Sequence, residues 1–228
     1  MTTRIYLARH GSTLLGGEDR FAGETDVPLS DIGRAQARAL GARLAVERID
    51  AAYASPLARA RETADLVAGP HGREVIVSPE LREISHGRWE GRTRTEVESL
   101  YPDEYARWES DPFTFAPRGG ETGLAVTARA LPVLLEIVAA HGEGQVLVVS
   151  HKATIRLLLS ALLGFDPRNY RDRLDQSPAC LNILDFRDAT RARLTLFNDT
   201  SHYGSTASST PAIPASRLSK WWDSREPT

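Results

Sequence analysis

The stretch Arg4-Ile5-Tyr6-Leu7-Ala8-Arg9-His10-Gly11-Ser12-Thr13 sets the reading of the whole chain. Arg4 to Ala8 has the short, largely apolar character of a strand, and it runs straight into a cation, an imidazole and a glycine. A loop of glycines and polar residues follows, from Ser12 to Leu29. Ser30 then predicts a helix start, with Ile32, Ala35, Ala39 and Leu44 on one face. Strand, tight exit and helix form a pattern that recurs outward from here.

The second strand is predicted over Ile49 to Ala54, followed by Ser55-Pro56-Leu57-Ala58-Arg59. Serine at a cap and proline at the first helical position together predict a helix start. A third strand, Arg73 to Val77, leads to Ser78-Pro79 and then Leu81-Arg82-Glu83-Ile84. The fourth, Gln145 to Val149, is almost wholly apolar, which predicts burial on both faces. Ser150-His151 then opens a helix carrying Ile155, Leu158, Leu159 and Leu162. Gly119 to Thr122 starts another helix running to about Ala140, with a kink expected at Pro132. Leu181 to Arg187 and Ala192 to Phe197 read as two strands joined at Asp188-Ala189-Thr190. Alternating strands and helices predict an α/β sheet with parallel pairings.

The 228 residues predict one domain over 1–202 and a Ser/Thr/Pro-rich tail over 203–228 containing Trp221-Trp222. Residues 99–122 are less regular and rich in aromatics, from Tyr101 to Phe115; they read equally as packing or as a cap over a pocket. The net charge of −2 argues against a nucleic-acid partner. Cys180 stands alone, so no internal disulfide forms, and no Cys/His spacing suits zinc. The first residues do not read as a signal peptide and no apolar run approaches a membrane span. The expectation is a cytoplasmic protein without a membrane partner.

In open α/β sheets, ligands bind beyond the C-terminal ends of the strands. His10, Arg59, Glu83 and His151 fall there, each after a different strand. Two arginines, Arg9 and Arg59, can grip a phosphate through paired charge-assisted hydrogen bonds. The helix after Ser55 would offer free backbone N–H groups to the same anion. A neutral imidazole can attack phosphorus, a second can stabilise transition-state charge, and a carboxylic acid can protonate the leaving oxygen. His71, His141 and His202 lack such context and read as ordinary histidines. Walker, nucleophile-elbow, dinucleotide and zincin signatures are missing, and no carboxylate cluster suits two metals.

The ordered set of motifs resembles the histidine phosphatase superfamily, which has the phosphoglycerate-mutase-like fold. The resemblance runs through Leu7 to Thr13, Arg20-Phe21-Ala22-Gly23, Asp26 to Ser30, Gly33 to Ala37, Ser55 to Ala60, Leu81 to Gly91, Gly119-Gly120-Glu121 and Val148 to His151. It implies a three-layer α/β/α architecture with a mostly parallel mixed sheet and one antiparallel strand. It implies His10 as nucleophile, Arg9, Arg59 and His151 as the phosphate pocket, and Glu83 as proton donor and acceptor. It implies a small phosphorylated substrate, no metal, no organic cofactor and often a homodimer. Many members have asparagine where this chain has Gly16, with Thr13 a candidate substitute at the phosphate. Many follow the second histidine with glycine; here Lys152 stands there, one of only two lysines. Lys152 is a candidate contact for a second anionic group, and His86 a candidate contact for the leaving group. The short interval between Glu83 and His151, with Gly87 to Gly91, resembles the phosphatase branch. A cofactor-dependent phosphoglycerate-type mutase is the alternative, and a non-catalytic phospho-ligand binder a second.

Overall fold

The structure, a computed structural model, describes residues 2–15 and 20–204. Gly16 and the tail beyond 204, with Trp221-Trp222, lie outside the described residues. The strands are β1 (Thr3–Arg9), β2 (Ala51–Ala54), β3 (Val75–Val77), β4 (Gln145–Ser150), β5 (Leu181–Asp188) and β6 (Arg191–Asp199). The helices are α1 (Asp31–Leu44), α2 (Ala58–Ala68), α3 (Arg94–Leu100), α4 (Pro102–Ser110), α5 (Gly123–Ala140), α6 (Lys152–Leu163), α7 (Tyr170–Arg173) and α8 (Ser201–Gly204).

The sheet order is β3-β2-β4-β1-β5-β6. The pairs β1/β4, β2/β3 and β2/β4 are parallel, whereas β5 runs antiparallel to both β1 and β6. One reversed strand makes the sheet mixed, as the resemblance implied. Side chains alternate across each strand. Ile5, Leu7, Val146 and Val148 pack on one face with Leu134, Ile155 and Leu158, while Tyr6, Ala8, Leu147 and Val149 pack on the other with Leu40, Ala60, Ala64 and Val67. Helices therefore cover both faces, and β4 is buried on both, as its apolar run predicts.

Three expectations change in the folded chain. Ser30 caps α1 by accepting from the Gly33 N–H, but the buried face is Gly33, Gln36, Ala37, Leu40, Gly41 and Leu44; Ile32 is 54% exposed. The reason lies at Gly33, where a Cβ would stand 2.0 Å from the Ser12 carbonyl oxygen. The loop after His10 lies directly on this helix, so the small-residue stripe faces inward. Gly33→Ala is expected to force the loop and helix apart, costing roughly 1–3 kcal/mol as overpacking does. The urea midpoint measures that, and an unchanged midpoint would show that the loop yields freely.

Secondly, α2 starts at Ala58 rather than at Pro56, and the Ala58 N–H is taken by the Asp26 carboxylate at 2.8 Å. The N-cap is Leu57 and not Ser55, whose hydroxyl accepts from the Leu57 N–H at 3.3 Å ahead of the helix and also meets His151. Thirdly, α5 is long and apolar enough by composition to cross a membrane. In the fold, its Val126, Ala130, Leu134, Ile137 and Val138 are buried, and Pro132 sits inside the helix.

Candidate active site

The strand ends bring the expected residues together. Arg9 pairs in register with Ser150, and Ala54 with Val149, so β1, β2 and β4 finish level. The ladder continues one step further: His10 N–H donates to the Ser150 carbonyl at 3.1 Å and Ser55 N–H to the Val149 carbonyl at 3.1 Å. His10 and His151 therefore leave adjacent strands side by side, with ring centroids 5.1 Å apart and planes inclined by 57°.

The His10 ring is oriented by its own loop. Nδ1 lies 2.7 Å from the Gly11 carbonyl oxygen. A carbonyl only accepts, so Nδ1 carries the proton and Nε2 keeps its lone pair. The Gly11 N–H in turn donates to Thr63 Oγ1, which itself donates to the Arg59 carbonyl, and the Ser12 N–H donates to Gln36. His151 Nε2 meets Ser55 Oγ at 2.6 Å, while its Nδ1 is buried without a partner among the described residues.

The cations are held from behind by backbone carbonyls. Arg59 is 2% exposed and donates from Nη1 to the Thr25 carbonyl (2.8 Å) and from Nη2 to the Gly23 carbonyl (2.7 Å). Arg9 Nη1 donates to the Gln176 carbonyl at 2.6 Å, and its Nε is buried and unpartnered among the described residues. These hydrogen-bond partners are neutral, and burial works against both guanidinium charges more strongly than the nearby carboxylates, Glu83 and Asp175 for Arg9 and Glu83, Asp26 and Glu90 for Arg59, support them. Burial, then Arg9 and Arg59, push the His10 imidazole well below its ordinary value. Burial, Arg59, His10 and Arg9 do the same to His151. Both rings are neutral at pH 7, the form a nucleophile needs.

Glu83 reaches the site from the segment after β3. Its carboxylate accepts from the backbone N–H groups of Ile84 (3.0 Å), Ala153 (3.2 Å) and Thr154 (3.2 Å), and from the Thr154 hydroxyl (3.2 Å). His151, the N-cap of α6, supplies no side-chain cap, so Glu83 caps that helix from another segment. Arg129 clamps the same loop, donating to the carbonyls of Glu80, Arg82 and Glu83 and pairing with Glu121 at 2.8 Å. Thr13 bridges to Leu29 beside the loop.

His86 goes into an aromatic cluster. Its ring lies 4.9 Å from Phe21 and 6.1 Å from Trp108, with Trp89 and Tyr105 packed beyond. Tyr101, Tyr105, Trp108 and Phe115, from the segment expected as packing or as a cap, all pack into this cluster. Burial pushes the His86 imidazole down to about 4. The unfolded chain therefore binds more protons than the folded one below pH 6.5, and stability is lost as pH falls from there toward 4. Each such buried imidazole contributes roughly 1.4 kcal/mol per pH unit. In phosphate-free buffer the melting temperature is expected to fall steadily from pH 6.5 to 5, with a shallower slope in His86→Phe. A flat profile would mean that the rings protonate inside the fold.

Several supporting residues escape sequence reasoning. Thr63 carries a signal, lying four residues after Arg59 on one helix face. Glu90 lies in a quoted motif but received no role. It accepts from the Glu24, Thr25 and His86 N–H groups and so ties the Arg59 loop to the Glu83 loop. Arg129 and Gln176 carry no local signal, and the Ser55-Pro56 signal says nothing of the contact between Ser55 and His151. Among the described residues, no group of three or more His, Cys, Asp or Glu side chains is placed to hold a metal ion.

Residues 5–200 match the histidine phosphatase superfamily, branch 1. The chain belongs to this superfamily. A phosphoserine phosphatase 1 from Hydrogenobacter thermophilus is 36% identical over 163 residues, covering 72% of this chain and 77% of that protein. A glucosyl-3-phosphoglycerate phosphatase from Mycolicibacterium vanbaalenii is 35% identical over 174 residues, covering 73% and 77%. Among solved structures, YhfR of Bacillus stearothermophilus superposes with a TM-score of 0.82 at 32% identity, covering 88% of this chain and 98% of that one. A mycobacterial glucosyl-3-phosphoglycerate phosphatase with VO3 gives 0.78 at 32%, covering 86% and 98%. The histidine phosphatase fold is thus shared over nearly all of the described chain.

Proposed function

We propose that this histidine phosphatase is a metal-independent phosphomonoesterase that acts on a small metabolite through a phosphohistidine on His10. The observation that carries this reading is the pair of buried neutral imidazoles, 5.1 Å apart, between two arginines whose backs are satisfied by carbonyls. A phosphate dianion supplies the directly bonded counter-charge that the carbonyl partners do not, and the remaining N–H groups can hold it. His10 Nε2 attacks phosphorus as the ester P–O bond breaks, and Glu83 gives its proton to the leaving oxygen. His151 and the arginines stabilise the charge on the non-bridging oxygens. Water then attacks the phosphohistidine, Glu83 takes back a proton, the P–N bond breaks and phosphate leaves. The protein's own cations neutralise the phosphoryl charge at each step. Thr13 stands at the rim of the same loop, and the aromatic cluster around His86 forms the wall nearest the leaving group.

The named substrates of the two relatives, phosphoserine and glucosyl-3-phosphoglycerate, are small phosphomonoesters and support the substrate class. The test is phosphate release from a panel of phosphomonoesters in excess EDTA. Release should continue undiminished by the chelator. Release that requires added metal overturns metal independence. Phosphoryl exchange between phosphoglycerates without release overturns hydrolysis in favour of a mutase. Tight phosphate binding without either reaction leaves only a binding role.

A further inference from the structure

Next to the phosphate pocket stand two cations that the proposed reaction does not use. Lys152 directly follows His151, and Arg156 lies one turn further along α6. Their side chains are only 16% and 9% exposed. They share one counter-charge, Asp175, at 3.9 Å from Lys152 Nζ and 3.2 Å from Arg156 Nη2. That carboxylate is 67% exposed, so water screens it and it offsets little. Arg156 Nε is buried with no partner among the described residues. Arg9, from the end of β1, faces the pair with a third positive charge, and Glu83, from the segment after β3, with a negative one.

Like charges four residues apart on a helix repel, and Lys152, in the first helical turn, also opposes the helix dipole. Desolvating them adds a further cost. Asp175 and Glu83 return only part of that cost, since burial still dominates at both cations, and an anion placed between the two side chains returns more. We propose that Lys152 and Arg156 form a subsite for a carboxylate on the substrate, so that the enzyme selects small phosphomonoesters of carboxylic acids. This rests on the phosphatase reading and narrows it. Arg9 and Glu83, both of the phosphate site, act on Lys152, so the carboxylate would sit a short distance from the phosphoryl group. Burial, reinforced by Arg156 and Arg9, pushes the Lys152 ammonium down to about 7. The subsite is then fully charged below that pH and weakens above it.

O-phosphoserine and O-phosphoethanolamine differ only in the carboxylate, and 3-phosphoglycerate carries a carboxylate where glycerol 3-phosphate carries a hydroxymethyl group. Wild-type kcat/KM should favour the acid in each pair by roughly ten- to a hundredfold, the worth of a charge-assisted contact. Lys152→Met should lower that ratio about tenfold through KM, with Lys152→Arg restoring much of it. In wild type, KM for phosphoserine should rise above pH 7 while that for phosphoethanolamine does not. A ratio near one in both pairs, an equal loss for acid and non-acid in Lys152→Met, or cleavage of p-nitrophenyl phosphate with no turnover of any of the four overturns the subsite alone. Inertness toward all of them, p-nitrophenyl phosphate included, overturns the phosphatase reading and the subsite with it.

Discussion

His10→Ala is expected to lose on the order of 10⁴–10⁶-fold in kcat, the scale seen when a covalent nucleophile is removed. The loss should be the same for every substrate, because the phosphoenzyme lies on the path of all of them. The same variant should no longer take up label from a radioactive phosphomonoester into an acid-labile, alkali-stable protein phosphate. The imidazole is 7% exposed and makes one hydrogen bond, to Gly11. Its removal also relieves a desolvated base between two arginines, so the fold should survive. A melting temperature near wild type, with unchanged phosphate binding, is the control that separates chemistry from collapse. Retention of even one hundredth of the turnover would place the nucleophile elsewhere, with His151 the next candidate.

Glu83→Gln is expected to cost alkyl phosphates roughly 10²–10⁴-fold in kcat, the usual range for general acid–base help. p-Nitrophenyl phosphate should lose far less in its first step, since its leaving group needs little protonation. The carboxylate accepts from Ile84, Ala153 and Thr154 N–H groups through both oxygens. Glutamine keeps one acceptor and turns the other into a donor facing an N–H group. A modest fall in melting temperature is therefore expected alongside the kinetic loss. The ratio of alkyl to aryl turnover isolates the proton transfer from that structural cost. Equal losses on both substrates would make Glu83 a helix cap and not the acid.

Much of the site was legible because its residues follow strands. His10, Arg59, Glu83 and His151 are each announced by an apolar run, a turn and a helix signal. The apolar run of β4 and the Ser30 cap were local facts and held in three dimensions. Hydrophobicity predicts Ile32 on the buried face of α1, whereas contact with the Ser12 carbonyl turns the Gly33 stripe inward. The position of Ser55 predicts a helix cap; its hydroxyl does accept from the Leu57 N–H ahead of the helix, but it also meets His151 across the sheet, which no local pattern shows. The composition of α5 suits lipid as well as a protein core, and only its packing against the sheet distinguishes them.

The amino-acid order alone established an alternating α/β chain, the candidate site residues at its strand ends and its family resemblance. Those properties depend on spacing within short segments, which periodicity and motifs report. Sheet order, the pairing of the two imidazoles, the Arg129 clamp and the Lys152–Arg156–Asp175 cluster emerged only in the folded molecule. Each joins groups from segments far apart in sequence, brought together by crossovers between parallel strands. Such contacts, and the desolvation that sets the charge states of the imidazoles and of Lys152, have no counterpart in local sequence.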